Sequence, residues 1–242
     1  MPKLDSLKIL FENKPFDVFT VSESLLKPSI LDNKIHLPGY SCVRSDRLGK
    51  VGGGCLANVR DEIPYRPRPD LGTSSTESCV VEISRPKCKK LLIWAIYRAS
   101  DLNMASFIQD LDTSLSALPE NIELILLGDF NVNLTGSNLN IDKAMKRKLI
   151  QVTNSHELDQ LINKPTRITE RSSTLIDLLF SNTTYRVTDH RVIHLTISDH
   201  SMIFCVVKSD VTKAPGKTIE YRSFKNYYIC GYKPNYVLVR AH

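Results

Sequence analysis

No stretch of this 242-residue sequence approaches the roughly 18 to 20 consecutive apolar residues that span a bilayer. The opening Met1-Pro2-Lys3-Leu4-Asp5-Ser6 also lacks the charged-then-apolar layout of a secretory leader. Both absences point to an intracellular protein with no membrane partner. Cysteine is present at six positions, Cys42, Cys55, Cys79, Cys88, Cys205 and Cys230. No two form a Cys-x-x-Cys pair and no histidine stands at zinc-like spacing, which argues against a zinc site. Cys55, Cys79 and Cys205 sit in apolar strand-like runs, where a thiol behaves as a small buried hydrophobe. Internal repeats are absent. Gly52-Gly53-Gly54 lacks the Lys-Ser/Thr and helix that would make it a phosphate-binding loop.

What is present is enough apolar material for one large domain, since 42% of the residues are hydrophobic. A formal charge of +6 favours polyanions modestly. Apolar spacing predicts a short amphipathic helix over 3–13 and a strand over Phe16 to Ser22. Further strands are expected at Gly54 to Val59, Ser78 to Ile83, Leu91 to Tyr97 and Ile122 to Leu127. A helix over Asn103 to Leu118 buries Phe107, Ile108, Leu111, Leu115 and Leu118, and Pro119 marks its end. A second helix is expected over Asp142 to Thr153 and a short one near Leu158 to Ile162. Strands follow at Leu175 to Ser181, Arg186 to Ile197 with an interruption, and Met202 to Val207, while Pro64 to Ser78 reads as an exposed connection. Strands come in clusters and do not alternate with helices. That favours an α/β sandwich of two packed sheets with helices outside over a doubly wound parallel sheet.

Three segments carry the chemistry. The apolar run beginning at Glu123 ends abruptly in Gly128-Asp129-Phe130-Asn131, delivering a carboxylate and an amide at a strand end. In an extended segment Asp129 and Asn131 point to one side and Phe130 to the core; the alternative is an Asp/Asn turn bonded to its own backbone. Asp177 interrupts the apolar run Leu175 to Phe180 and must find a partner, because an unpaired buried carboxylate costs several kcal/mol. Ser198-Asp199-His200 precedes the last apolar strand and offers the imidazole that would serve.

These segments, in order with Val21-Ser22-Glu23-Ser24, Arg44-Ser45-Asp46-Arg47, Gly52 to Gly54 and Ala95-Ile96-Tyr97-Arg98, resemble the endonuclease/exonuclease/phosphatase superfamily. More narrowly, they resemble the apurinic-type endonuclease domain of non-LTR, LINE-like retrotransposons. The resemblance runs over about residues 3–224; residues 1–224 are read as the domain and 225–242 as a tail unrelated to it.

It implies a four-layer α-β-β-α sandwich of DNase I-like type. It also implies a DNA endonuclease dependent on Mg²⁺ or Mn²⁺, intracellular and nuclear, whose full-length element carries a reverse transcriptase domain that these residues do not include. Glu23 matches the family's metal-binding glutamate, and Asp199 a carboxylate that stands behind the metal ligands or serves as an alternative ligand. Asp129 matches the group that orients or deprotonates the attacking water. Asn131 matches a group that donates to a phosphate oxygen or to the water, Tyr97 one whose hydroxyl reaches a phosphate oxygen, His200 the histidine on the scissile phosphate, and Asp177 the acid that orients it. Thr166 and Arg167 fall where relatives place a phosphate-contacting threonine or a DNA-facing loop. Arg98-Ala99-Ser100 replaces a common Arg-Pro-Pro, which implies a less rigid loop. Relatives open with a strand ending in an asparagine that joins the metal shell, whereas this sequence opens at the following helix, so one sheet is expected to lack a strand. Two other readings remain: a catalytically inactive nucleic-acid binder, and a phosphatase or phosphodiesterase of the same superfamily.

Overall fold

Leu91-Leu-Ile-Trp-Ala-Ile-Tyr97 carries no charged residue on either face, and it becomes an interior strand covered on both sides. The computed structural model describes residues 4–50, 52–85, 88–135, 140–195 and 197–208. In chain order it runs α1 (Leu4–Phe11), β1 (Val18–Ser22), β2 (Tyr40–Ser45), β3 (Cys55–Arg60), β4 (Tyr65–Pro67), β5 (Glu77–Ile83), β6 (Leu91–Tyr97), α2 (Met104–Ser116) and β7 (Glu123–Asp129). It continues with α3 (Asn140–Ser155), β8 (Asp159–Gln160), β9 (Arg167–Ile168), β10 (Ser173–Thr174), β11 (Asp177–Ser181), β12 (Val187–Ile193) and β13 (Met202–Val207). The tail read at 225–242 lies outside the described residues.

One sheet has the order β4-β5-β6-β7-β11-β8. Only β6 and β7 are parallel in it, joined through α2, and the other neighbours are antiparallel. Trp94, Ala95, Ile96 and Leu126 in its centre are fully buried. Asn103 caps α2 by accepting from the backbone N–H groups of Ala105 and Ser106. The helix buries Phe107, Ile108, Leu111 and Leu115 against this sheet, each worth roughly 1.5 to 3 kcal/mol. Phe107, Phe130 and Phe180 meet edge to face there, with centroids 6.0 and 5.5 Å apart.

The opposing layer is β1-β3-β2, whose inward residues Cys55, Ala57 and Val59 join the same core. Its outer face is covered by α1, where Phe11 stacks on Phe19 at 3.9 Å beside Tyr40. The hairpin β12-β13 belongs to this layer but is not hydrogen-bonded to β1. β1 packs on β6 and β7, β13 packs on β11, and Phe16 touches Phe204 at 6.1 Å. Among the described residues no strand pairs with the outer edge of β1 or of β13, so the second layer stands in two pieces. The architecture is the α-β-β-α sandwich, with helices on both outer faces.

Four local expectations are corrected. Leu158 to Ile162 is no helix; Asp159 and Gln160 pair with Ser181 and Phe180 as the edge strand β8. A five-residue helix is too short to nucleate, while the open edge of β11 offers hydrogen bonds at once. Pro64 to Ser78 is not wholly a connection, because β4 pairs with β5 and ends at Pro67, a residue tolerated on an edge strand. β2 is an additional strand: Tyr-Ser-Cys-Val-Arg-Ser has too few apolar residues to announce one, and pairing with β3 makes it so. Strand β12 stops at Ile193, well short of the Ile197 expected.

Candidate active site

The site grows from one row of the six-stranded sheet. Glu77 faces Tyr97 across β5 and β6, Tyr97 faces Asp129 across β6 and β7, and Asp129 faces Asp177 across β7 and β11. Neighbours in one row of a sheet project to the same side. Residues 80 positions apart in sequence, Tyr97 and Asp177, are thereby set on one edge. Gly128 is required just before Asp129: its φ is +140° and an added Cβ would overlap the carbonyl oxygen of Ile96 on β6.

Asp129 and Asp177 are buried, and His200 is half-buried beside them. The His200 Nδ1 lies 3.0 and 3.2 Å from the two carboxylate oxygens of Asp177. That pairing raises the His200 pKa above its ordinary value, against the opposing effect of burial. Burial above all, and then the facing charge of Asp177, push the Asp129 carboxyl up to about 7. The Asn131 N–H and His200 pull it the other way. Tyr97 is pushed up to about 12, by burial first and then by Glu23 and Asp129.

Asn131 is not extended. Its φ is +48°, and its backbone N–H donates to Asp129 Oδ1 at 2.9 Å, so the Asp/Asn turn is the structure adopted. The side chain still lies beside Asp129, with Nδ2 donating to Arg98 O at 2.8 Å and to Asp129 Oδ2 at 3.3 Å. Both amide hydrogens are engaged within the protein, so as arranged Asn131 orients Asp129; donation to a phosphate would require it to release one of them. Phe130 points into the core as expected, fully buried.

Glu23 follows β1 in a left-handed conformation, φ +56°, strained for a non-glycine residue. The strain is held by the glycine turn: Ser24 N donates to Gly54 O at 3.0 Å and Leu25 N to Gly53 O at 2.9 Å. Ser22 joins this turn to the sheet edge, its hydroxyl donating to Ile96 O at 3.2 Å and accepting from Asp129 N at 3.3 Å. Arg47 closes the same side. Its guanidinium lies 5.5 Å from the Tyr97 ring centroid and is forked on Glu77.

Two expected roles change. Thr166 cannot touch phosphate, because it is fully buried and its hydroxyl accepts from Ile176 N at 3.2 Å and Asp177 N at 2.9 Å. It positions Asp177 instead. Asp199 is not gathered with the other carboxylates; exposed, it binds Arg167 Nε at 2.8 Å, a pairing that lowers its pKa. Arg167 thus stands at the rim, and its strand bridges to His200.

Arg98, named in the sequence only as part of a matching segment and its loop, takes a role that the sequence did not assign. Buried, it donates from Nε to Phe130 O at 2.7 Å, from Nη1 to Leu102 O at 2.6 Å and from Nη2 to Asn131 O at 2.9 Å. The loop expected to be less rigid is fastened to the Asp129–Asn131 turn by this one guanidinium.

Asp129, Asp177 and His200 bring ligand atoms within 4.8 Å of one another. Two buried carboxylates with Glu23 at the mouth make an oxygen-rich, net negative donor set that a hard divalent cation would relieve. The chemistry of the residues therefore fits a divalent metal.

The family model described as endonuclease-reverse transcriptase matches residues 91–204, which hold Tyr97, Asp129, Asp177 and His200. Among solved structures, the endonuclease domain of TRAS1, a telomere-specific non-LTR retrotransposon, superposes with a TM-score of 0.67 at 17% identity, covering 86% of this chain and 93% of that one. The 3′-5′ exonuclease NExo from Neisseria meningitidis gives 0.64 at 16% identity over 86% and 95%. An AP endonuclease from Archaeoglobus fulgidus gives 0.63 at 12% identity over 85% and 94%. No curated protein sequence matches the chain significantly.

Proposed function

From the match of residues 91–204 to the endonuclease-reverse transcriptase family model and the fold shared with a retrotransposon endonuclease domain, we propose that this chain belongs to the retrotransposon endonuclease branch of the endonuclease/exonuclease/phosphatase superfamily and is a metal-dependent DNA endonuclease that hydrolyses a phosphodiester bond and nicks duplex DNA. The observation that carries the reading is the row Tyr97, Asp129 and Asp177 on one sheet edge, closed by His200 against Asp177.

Mg²⁺ or Mn²⁺ would be held by Glu23, with Asp129 and Asp177 as further oxygen donors; when bound it neutralises phosphate oxygens and the charge that develops on them. The protein's own groups do the rest. Asp129 is placed to orient a water and accept its proton. The Asn131 turn and the Arg98 clamp fix that carboxylate in place. His200, whose pKa is raised by its hydrogen bond to Asp177, is suited to donate to a phosphate oxygen as negative charge develops there. Tyr97, whose phenol stays protonated across the physiological range, can donate a hydrogen bond to a phosphate oxygen. A DNA target would place the protein in the nucleus.

The reading is tested at the product ends. Nicks made by the purified chain should be sealed by DNA ligase and extended by a polymerase, the signature of a 5′ phosphate and a 3′ hydroxyl. Ends that neither enzyme accepts would refute this chemistry. A second reading, nucleic-acid binding without turnover, draws on the divided second layer, whose edges at β1 and β13 are unpaired among the described residues.

A further inference from the structure

We propose that the outward face of α3 is a second DNA-backbone contact, gripping the duplex within about one turn of the scissile phosphate. This rests on the reading of the chain as a DNA nuclease. From Lys143 to Asn154 the helix holds Lys143, Lys146, Arg147 and Lys148 and no acid. None of these four is paired with a carboxylate among the described residues. Elsewhere Arg44, Arg47, Arg60, Arg68, Arg85 and Arg167 each rest on an aspartate or glutamate, and the cations without such a partner among the described residues, such as Lys27, Lys34, Lys89, Lys164 and Arg171, are dispersed along the chain, whereas those of α3 stand together between positions 143 and 148. Unneutralised positive charge is thus concentrated on α3.

The face is also shaped. Lys143, Lys146, Arg147, Gln151 and Asn154 recur at helical spacing and, with Thr135, line an open groove of about 670 Å³. The opposite face is packed, with Leu149 and Thr153 fully buried. The C-terminal end is tied to α2 by His156 Nε2 and Asp112 at 2.7 Å. The cations therefore stand on a fixed support.

Thr135 connects groove to site. It follows Asn131 by four residues, a span of at most about 14 Å, or roughly four base-pair steps at 3.4 Å each. The segment between is held beside β11, with Leu134 N donating to Leu175 O at 2.9 Å and Asn133 Oδ1 accepting from Leu175 N at 3.1 Å. Lysine, arginine, amide and hydroxyl side chains are the groups that bind phosphate and sugar. The aromatic anchors that a protein partner would need are missing from the groove.

The test is binding of the full chain to a fluorescent 30-base-pair duplex in EDTA, titrated at several salt concentrations between 50 and 200 mM. Variants are the triple Lys143→Gln/Lys146→Gln/Arg147→Gln and, on the opposite layer, Lys8→Gln/Lys14→Gln/Lys34→Gln, with the same change in net charge. Glutamine is a good helix former, so α3 is retained. The α3 triple should lower the slope of log K against log salt by about 2 to 3, since each phosphate that a cation neutralises adds about 0.9 to it. The control triple should leave the slope unchanged, and Lys143→Arg/Lys146→Arg should keep the parent slope. If the parent nicks DNA but both triples behave alike, the α3 surface is refuted and the nuclease reading stands. If the parent neither binds nor nicks DNA, both fall.

Discussion

Asp129, the last residue of β7, stands directly opposite Asp177, the first residue of β11, so two buried carboxylates share one rung of an antiparallel ladder. Like charges so placed repel, and neither is available to water. The arrangement persists because Asp177 is occupied by His200 and Asp129 can stay protonated. Burial above all, and this repulsion second, make Asp129 a base of near-neutral strength, and the pair is a seat for a cation.

The first prediction concerns Asp129 and pH. Its folded pKa of about 7 lies above the ordinary aspartate value, so the folded state holds a proton that the unfolded state has released. The stability contributed by that protonated carboxyl is fully present below about pH 4 and is lost as pH rises through 7. Metal-free Asp129→Asn should therefore be more stable than the parent at pH 8, by about 2 to 4 kcal/mol, and equal to it near pH 4. Denaturant unfolding in EDTA at both pH values reads this out; equal stability at pH 8 would contradict it.

His200 should titrate above its ordinary value, with the shift removed by Asp177→Asn. The raised pKa stabilises the fold below the unfolded value near 6.5, and that contribution fades as pH rises through the folded value. NMR of the His200 ring across pH 5 to 9 checks both statements.

Arg98→Leu should destabilise the protein by about 3 kcal/mol, because three backbone carbonyls lose their donor in a buried setting. Arg98→Lys should recover part of this, since one ammonium cannot span all three acceptors. Urea unfolding of the three proteins decides the matter.

Thr166→Val keeps shape and removes the hydroxyl that holds the Ile176 and Asp177 N–H groups. A loss of about 2 kcal/mol and a His200 titration shifted back toward normal are expected, whereas Thr166→Ser should behave like the parent. A residue acting only on DNA phosphate would leave metal-free stability and the His200 pKa unchanged.

The parts of the site that lie at the ends of apolar runs are legible in the sequence. Asp129 after Leu124 to Leu127, Asp177 inside Leu175 to Phe180 and His200 before Met202 to Val207 each interrupt a pattern that demands explanation. The supporting residues are not. Ser22, Arg98 and Thr166 work through backbone groups of segments far away in the chain, and nothing in a local pattern records such a partner. For Asn131 the sequence gives the place but not the conformation, because a short polar segment after a strand fits both an extended run and an Asp/Asn turn. The sandwich is readable from clustered strands, while β2 and β8 owe their existence to neighbours that supply pairing edges.

The most direct measurement is conversion of supercoiled plasmid to nicked circle by the purified chain in Mg²⁺, beside an EDTA control and the Asp129→Asn and His200→Ala variants. A metal-dependent nuclease built on this row should nick with Mg²⁺, stop with EDTA, and lose about 10²-fold or more in rate in each variant. Nicking that survives both substitutions, or no nicking by the parent while it binds the plasmid, would contradict the assignment.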